Sequence, residues 1–135
     1  MAIQASATLR NALLDAVEST IGVSAVLKIR SGAPPADCAA ADSGDVLATL
    51  ALPEDWMNAA NAGSKTLKGT WQDASADNDG TAGHFRIYAA NGTTCHIQGT
   101  ITATGDGGDM TLVNTNIAAG QTVNITTFTL NAAYS

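Results

Sequence analysis

The chain has 135 residues, 45% hydrophobic but only 4% aromatic and 13% charged, with a formal net charge of −6. That length suits one domain with a core of its own, and the apolar content excludes a disordered tail. Six Lys and Arg against twelve Asp and Glu exclude a phosphate-tracking groove, so no nucleic-acid partner is expected.

No apolar run is long enough for a membrane helix. The opening "MAIQASATLR" lacks the basic-then-apolar order of a secretory signal, so synthesis in a reducing cytoplasm is expected. Within "SATLRNALLDAVESTIG", Leu9, Leu13, Leu14, Val17 and Ile21 share one face at helical spacing. Ser6 or Thr8 suits the N-cap and Gly22 the stop, which predicts an amphipathic helix over about 7–20 with Arg10, Asp15 and Glu18 on its polar face. Residues 1–22 form a helical arm in this reading, and 23–135 form the β-rich body of one domain.

In "VSAVLKIRSG", Val23, Ala25, Leu27 and Ile29 alternate with Ser24, Lys28 and Arg30, the pattern of a half-buried strand. "GAPPADCAAADSGD" is a loop, and "DVLATLALP" a second strand with Val46, Ala48, Leu50 and Leu52 on one face. Residues 54–80 fit a short strand, a turn and another strand, then the loop "QDASADNDGTAG". Four further strands are predicted at about 84–90, 95–103, 109–113 and 121–130. Turn residues at near-regular spacing between them indicate a sandwich or barrel. In the last strand the apolar parity changes between Ile125 and Phe128, which predicts a β-bulge near Thr126–Thr127.

The stretch "GHFRIYAANGTTCHIQGTI" (83–101) holds both histidines and Cys95. A two-residue Asn91-Gly92 turn would set apolar residues against polar ones, so the alternation favours a loop of three or five residues. Ile87 then faces Ile97, Phe85 faces Gly99 and Ala89 faces Cys95. On the other, exposed face Tyr88 meets His96, Arg86 meets Gln98 and His84 meets Thr100. His84 and His96 would lie about 13 Å apart along the ladder, too far to share a zinc ion. Cys38 and Cys95 are too few for a disulfide scaffold; they are expected free and partly buried, with one disulfide as the alternative.

In "SADNDG", Ser75, Asp77, Asp79 and Gly80 imitate part of a calcium loop, with Asp73 nearby. Arg86 stands where an EF-hand needs its bidentate glutamate, so an Asx-type turn is the plainer reading. "GDGGD" opens no helix, which argues against a phosphate loop. No serine-nucleophile elbow occurs and no carboxylate pair stands out. No catalytic, cofactor-binding or metal-binding residue is assigned, and no enzyme activity, cofactor or small-molecule substrate is expected. Trp56 and Trp71 are read as core or interface anchors.

The order of elements resembles a known family. "LRNALLDAV", "AVLKIRSGAPP", "GDVLATLAL", "ADNDGTAGHFRIYAANGTTCHIQGTI" and "GDMTLVNTNIAAGQTVNITTFTL" are similar to the cement, or head-decoration, proteins of short-tailed bacteriophages, of the kind carried by a Bordetella phage. The likeness runs nearly the full length, over packing and turn patterns. It implies a jelly-roll-like antiparallel β-sandwich that forms homodimers or homotrimers and binds the major capsid protein on the outside of the virion. A tail- or spike-associated module recognising a host surface is the alternative. The N-terminal helix and the loops around 53–71 are the expected contact regions, through Leu9, Leu13, Trp56, Met57 and Trp71, with Arg10, Lys65 and Lys68 at the rim. Arg86 and Tyr88, on the outer hairpin face, complete the expected contact set.

Overall fold

In the computed structural model, which describes residues 3–134, helix α1 spans Ala7–Ile21. The Ser6 hydroxyl accepts the Leu9 N–H at 3.1 Å, and Gly22, at φ 93°, ends the helix by donating to the Glu18 carbonyl at 2.9 Å. Both caps are those expected from the sequence.

The remainder is mainly β. Among the described residues the strands are β1 (Val26–Ser31), β2 (Val46–Ala51), β3 (Ser64–Thr66), β4 (Trp71–Asp73), β5 (Gly80–Tyr88), β6 (Cys95–Ala103), β7 (Met110–Leu112), β8 (Asn116–Ile117), β9 (Val123–Ile125) and β10 (Thr129–Asn131). The main curled sheet has the order β2-β1-β5-β6-β7, with β8 paired to the start of β5. Two ribbons, β3–β10 and β4–β9, lie off it.

Register explains the core. Leu50, Leu27, Ile87 and Ile97 form one row across β2, β1, β5 and β6; Ala48, Ile29, Phe85 and Gly99 form the next. Both rows lie on the core side of the sheet. There Trp56, Trp71, Phe128 and Phe85 make a chain of rings with successive centroids 6.0, 5.7 and 5.6 Å apart. Tilted and edge-on aromatic pairs at these separations add to the large apolar area that the rings bury.

Four sequence expectations are corrected. The sheet is not wholly antiparallel: β7 runs parallel to β6, from Ile101 opposite Met110 to Ala103 opposite Leu112. The "GDGGD" loop folds straight back beside β6, with the Gly108 N–H donating to Thr102 Oγ1 at 2.9 Å. A side chain on Gly108 would collide with Thr102, which is why small residues stand there. The strand expected over 121–130 changes partner instead of bulging, because β9 pairs with β4, β10 pairs with β3, and Phe128 turns into the core between them. In β2 the register slips at Leu47, just before Ala48, so Leu47 is also buried and Val46 falls opposite Arg30.

The fourth correction concerns the 83–101 hairpin. Four of its pairs stand as expected, from His84–Thr100 to Ile87–Ile97. A slip then sets Tyr88 opposite Cys95, not His96. The loop is closed by Ala89 N–H donating to the Thr94 carbonyl at 3.0 Å, and it leaves four residues between them. Asn91 Oδ1 accepts the N–H groups of Thr93 and Thr94, and Gly92 takes φ 71°. An even loop with an Asx turn plus a one-residue bulge thus restores the parity that an odd loop would have supplied.

Candidate functional site

The second face of the main sheet carries Lys28 and Arg30 from β1, His84, Arg86 and Tyr88 from β5, and Gln98 from β6. It is not exposed, because residues 32–45 lie across it as a strap. The strap's ends are drawn together by Ser31 N–H to the Asp45 carbonyl at 3.1 Å and by Asp45 N–H to Ser31 Oγ at 2.9 Å. Arg86 donates to Asp42 Oδ1 at 2.7 Å, to the carbonyls of Asp37 and Ala40 at 2.9 and 3.1 Å, and to Gln98 Oε1 at 3.1 Å. Gln98 in turn donates to the Pro35 carbonyl at 2.7 Å. Tyr88 Oη donates to Asp42 at 2.6 Å, and Arg30 pairs with the same carboxylate at 3.2 Å.

Charge and burial set the protonation states. Partial burial works to raise the Asp42 pKa, but the bonds from Tyr88 and Arg86 and the charges of both arginines outweigh it, so Asp42 is held below the usual carboxylate value. Tyr88 is pushed up by burial first and by its bond to Asp42 second. Burial, with Arg30 and Arg86 nearby, holds His84 below its ordinary value. A neutral His84 donates from Nδ1 to the Gly32 carbonyl at 2.9 Å, and its Nε2 has no partner. Arg30, His84, Arg86 and Tyr88, closed under the strap, fasten it to the sheet.

Helix α1 is pinned by its polar side. Asn11 Oδ1 accepts Gly63 N–H, Asp15 Oδ1 accepts Ala60 N–H, and Glu18 Oε2 accepts the N–H groups of both Trp56 and Met57, all at 2.9–3.0 Å. Lys65 reaches Asp15 at 2.8 Å and Glu18 at 3.3 Å. The bond from Lys65, more than that from Ala60, lowers the Asp15 pKa. Beside this row lies an open cleft of about 770 Å³, rimmed by the exposed Lys68–Asp55 pair at 2.6 Å. That pair raises Lys68 and lowers Asp55.

These facts correct the expected contact set. Trp56, Met57 and Trp71 lie inside the core, Lys65 is sealed under the helix, and Arg86 and Tyr88 are sealed under the strap; none of the six is more than 2% exposed. They are unavailable as surface anchors because the helix, the ribbons and the strap cover them. Trp56 Nε1 donates to the Gly22 carbonyl and Trp71 Nε1 to the Trp56 carbonyl, so each indole also finds its partner inside the chain. Four of the set reach solvent: Arg10, over the Gly63 turn, Lys68, and the helix residues Leu9 and Leu13, 52% and 48% exposed. Leu13, Val17 and Ile21 flank a shallow groove with His96 and Ile97 on its far side. His96 therefore faces the helix whereas His84 lies under the strap, a stronger separation than distance along one ladder.

The "SADNDG" carboxylates are engaged locally. Asp73 accepts Thr49 and Ser75 N–H groups, Asp77 accepts the Thr49 hydroxyl, and Asp79 accepts Ala119 N–H. With Asp77 N–H on the Leu47 carbonyl, this loop covers the free edge of β2. Cys38 and Cys95 are both free and half-buried, but Cys95 lies on the polar, strap-covered face rather than inward beside Ile97. The strap's role left one sequence trace: β5 reads "HFRIY", where polar residues alternate with apolar ones in a strand central enough to be covered on both faces. Comparison with protein-family models, with curated proteins and with solved structures finds no match to this chain.

Proposed function

We propose that this chain is a structural protein of a tailed-phage virion, a cement protein that binds the capsid exterior and bridges major capsid subunits as a homodimer or homotrimer. In this reading it is made in the bacterial cytoplasm and acts through surfaces, with no catalysis, cofactor, nucleic acid or membrane. The resemblance in element order is one support. The observation that carries the proposal is the helix: its polar side is tied to the body through Asn11, Asp15 and Glu18, while Leu9 and Leu13 stay half exposed beside an apolar groove. A rigidly held apolar row of this kind suits docking by shape-matched area, with modest affinity per copy amplified by binding across subunits. The two ribbons packed on the main sheet through Phe128 and Phe85 fit a jelly-roll-like sandwich.

Gel quantitation of this chain against the major capsid protein in purified particles tests the proposal. A copy number comparable to that of the capsid protein is expected, together with loss of pressure tolerance when the chain is stripped. A far smaller number would point to a tail or spike component, and absence from particles would overturn the virion assignment altogether.

A further inference from the structure

The strap and β6 carry one cysteine each, and the fold sets both at the strap-covered face of the sheet. Cys38 sits between Asp37 and Ala40, whose carbonyls both accept from Arg86 Nη2. Cys95 stands opposite Tyr88, whose hydroxyl donates to Asp42 on the strap, and Gln98 further along β6 donates to Pro35. Strap residues 35–42 thus lie over the face of the sheet that Cys95 shares. Both thiols are half-buried there, and Cys95 Sγ donates to the Ile97 carbonyl at 3.5 Å.

We propose that Cys38 and Cys95 join in a disulfide that fastens the 32–45 strap to β6, formed on meeting a pool of small-molecule disulfide and reversed by thiol reductant. The Arg86–Asp42 network already holds the strap over the sheet, so the strap need not be ordered before the bond closes. The order of steps follows from the environment. Burial first, and the Cys38 thiol second, push Cys95 up to about 12, so Cys95 is a poor initiator. The Cys38 thiolate attacks one sulfur of oxidised glutathione, breaking its S–S bond and expelling one glutathione thiolate. Cys95 then gives up its proton to solvent and attacks the Cys38 sulfur of the mixed disulfide, expelling the second glutathione. Two protein thiols are oxidised by two electrons as one glutathione disulfide is reduced to two thiols.

The test incubates the full chain with oxidised glutathione at mildly alkaline pH, followed by intact mass, thiol titration in denaturant and thermal melting. The expected product is a monomer lighter by two hydrogens, without titratable thiol, whose Tm rises by roughly 5–15 °C and falls back on adding dithiothreitol. Cys95→Ser should accumulate a glutathione adduct at Cys38, while Cys38→Ser should stay largely unmodified and gain no Tm. Wild-type protein ending as glutathione adducts or cross-linked dimers overturns the proposal. So does an intramolecular bond that leaves Tm unmoved. Should either variant fail to fold, the wild-type mass and its reductant-reversible melting shift still decide.

Discussion

Asp42 is the strap's main side-chain anchor, because one carboxylate receives Arg30, Arg86 and Tyr88 together. Asp42→Asn leaves two guanidinium groups facing a neutral amide. Stripping a partner from a fully buried pair costs about 3–5 kcal/mol; with the Asp42 side chain 40% exposed, about 1–3 kcal/mol is expected, read from the urea midpoint. His84 beneath it predicts a pH dependence. Its folded pKa lies below the ordinary 6.5, so between those values the unfolded chain binds more protons than the native one. Stability contributed by neutral His84 is complete above about pH 6.5 and declines as pH falls toward the folded value. Urea midpoints of wild type should drop on acidification from pH 7.5 to 5, and His84→Gln should flatten that limb. An unchanged slope in the variant would mean that His84 is not the group being titrated.

At the scale of elements, the strap depends on its turn residues. Gly44 has φ 71°, and a Cβ there would lie 2.0 Å from the Ser31 carbonyl oxygen, a backbone atom that cannot step aside. Gly92, also at φ 71°, has open space around it. Gly44→Ala is therefore expected to cost about 2 kcal/mol or more and to expose the strap to limited proteolysis, whereas Gly92→Ala should cost about 1 kcal/mol with the strap intact. The same elements show what was legible beforehand. Helix α1 was readable because its apolar spacing and both caps are local, and four hairpin pairs were readable because alternation fixes register where one face is buried. The bulge at His96 escaped, since it depends on Asn91 capping Thr93 and Thr94, a choice that parity alone does not reveal. The covered polar face escaped too. Arg30, Arg86 and Tyr88 read as outward-facing residues until a distant aspartate is known to sit over them, and Asp42 lies in a segment with no periodicity. The 54–73 region stayed ambiguous because three-residue strands carry almost no pattern. Its two tryptophans were recognised as anchors, but the helix and ribbons make them core rather than surface.

At the scale of the molecule, inner apolar residues carry the folding, and the proposed cement role would assign contact to the outer ones. Trp71 touches both Trp56 and Phe128, and through Phe128 links the ribbons to β5; Trp71→Ala should cost about 3–5 kcal/mol, read from the urea midpoint. Leu9 and Leu13 differ, because half of each side chain already faces water and the helix is held through its polar side by Asn11, Asp15 and Glu18. Replacing both leucines by glutamate should shift stability by no more than about 1 kcal/mol. On a docking surface the same change places two charges in a desolvated contact, a penalty of several kcal/mol that weakens binding at least a hundredfold. Rebinding of the purified double variant to stripped particles, alongside its melting curve, separates the two effects. Normal melting with lost rebinding places the contact on this helix face. Normal melting with normal rebinding moves it elsewhere, with the rim of the Lys68–Asp55 cleft as the next surface to alter.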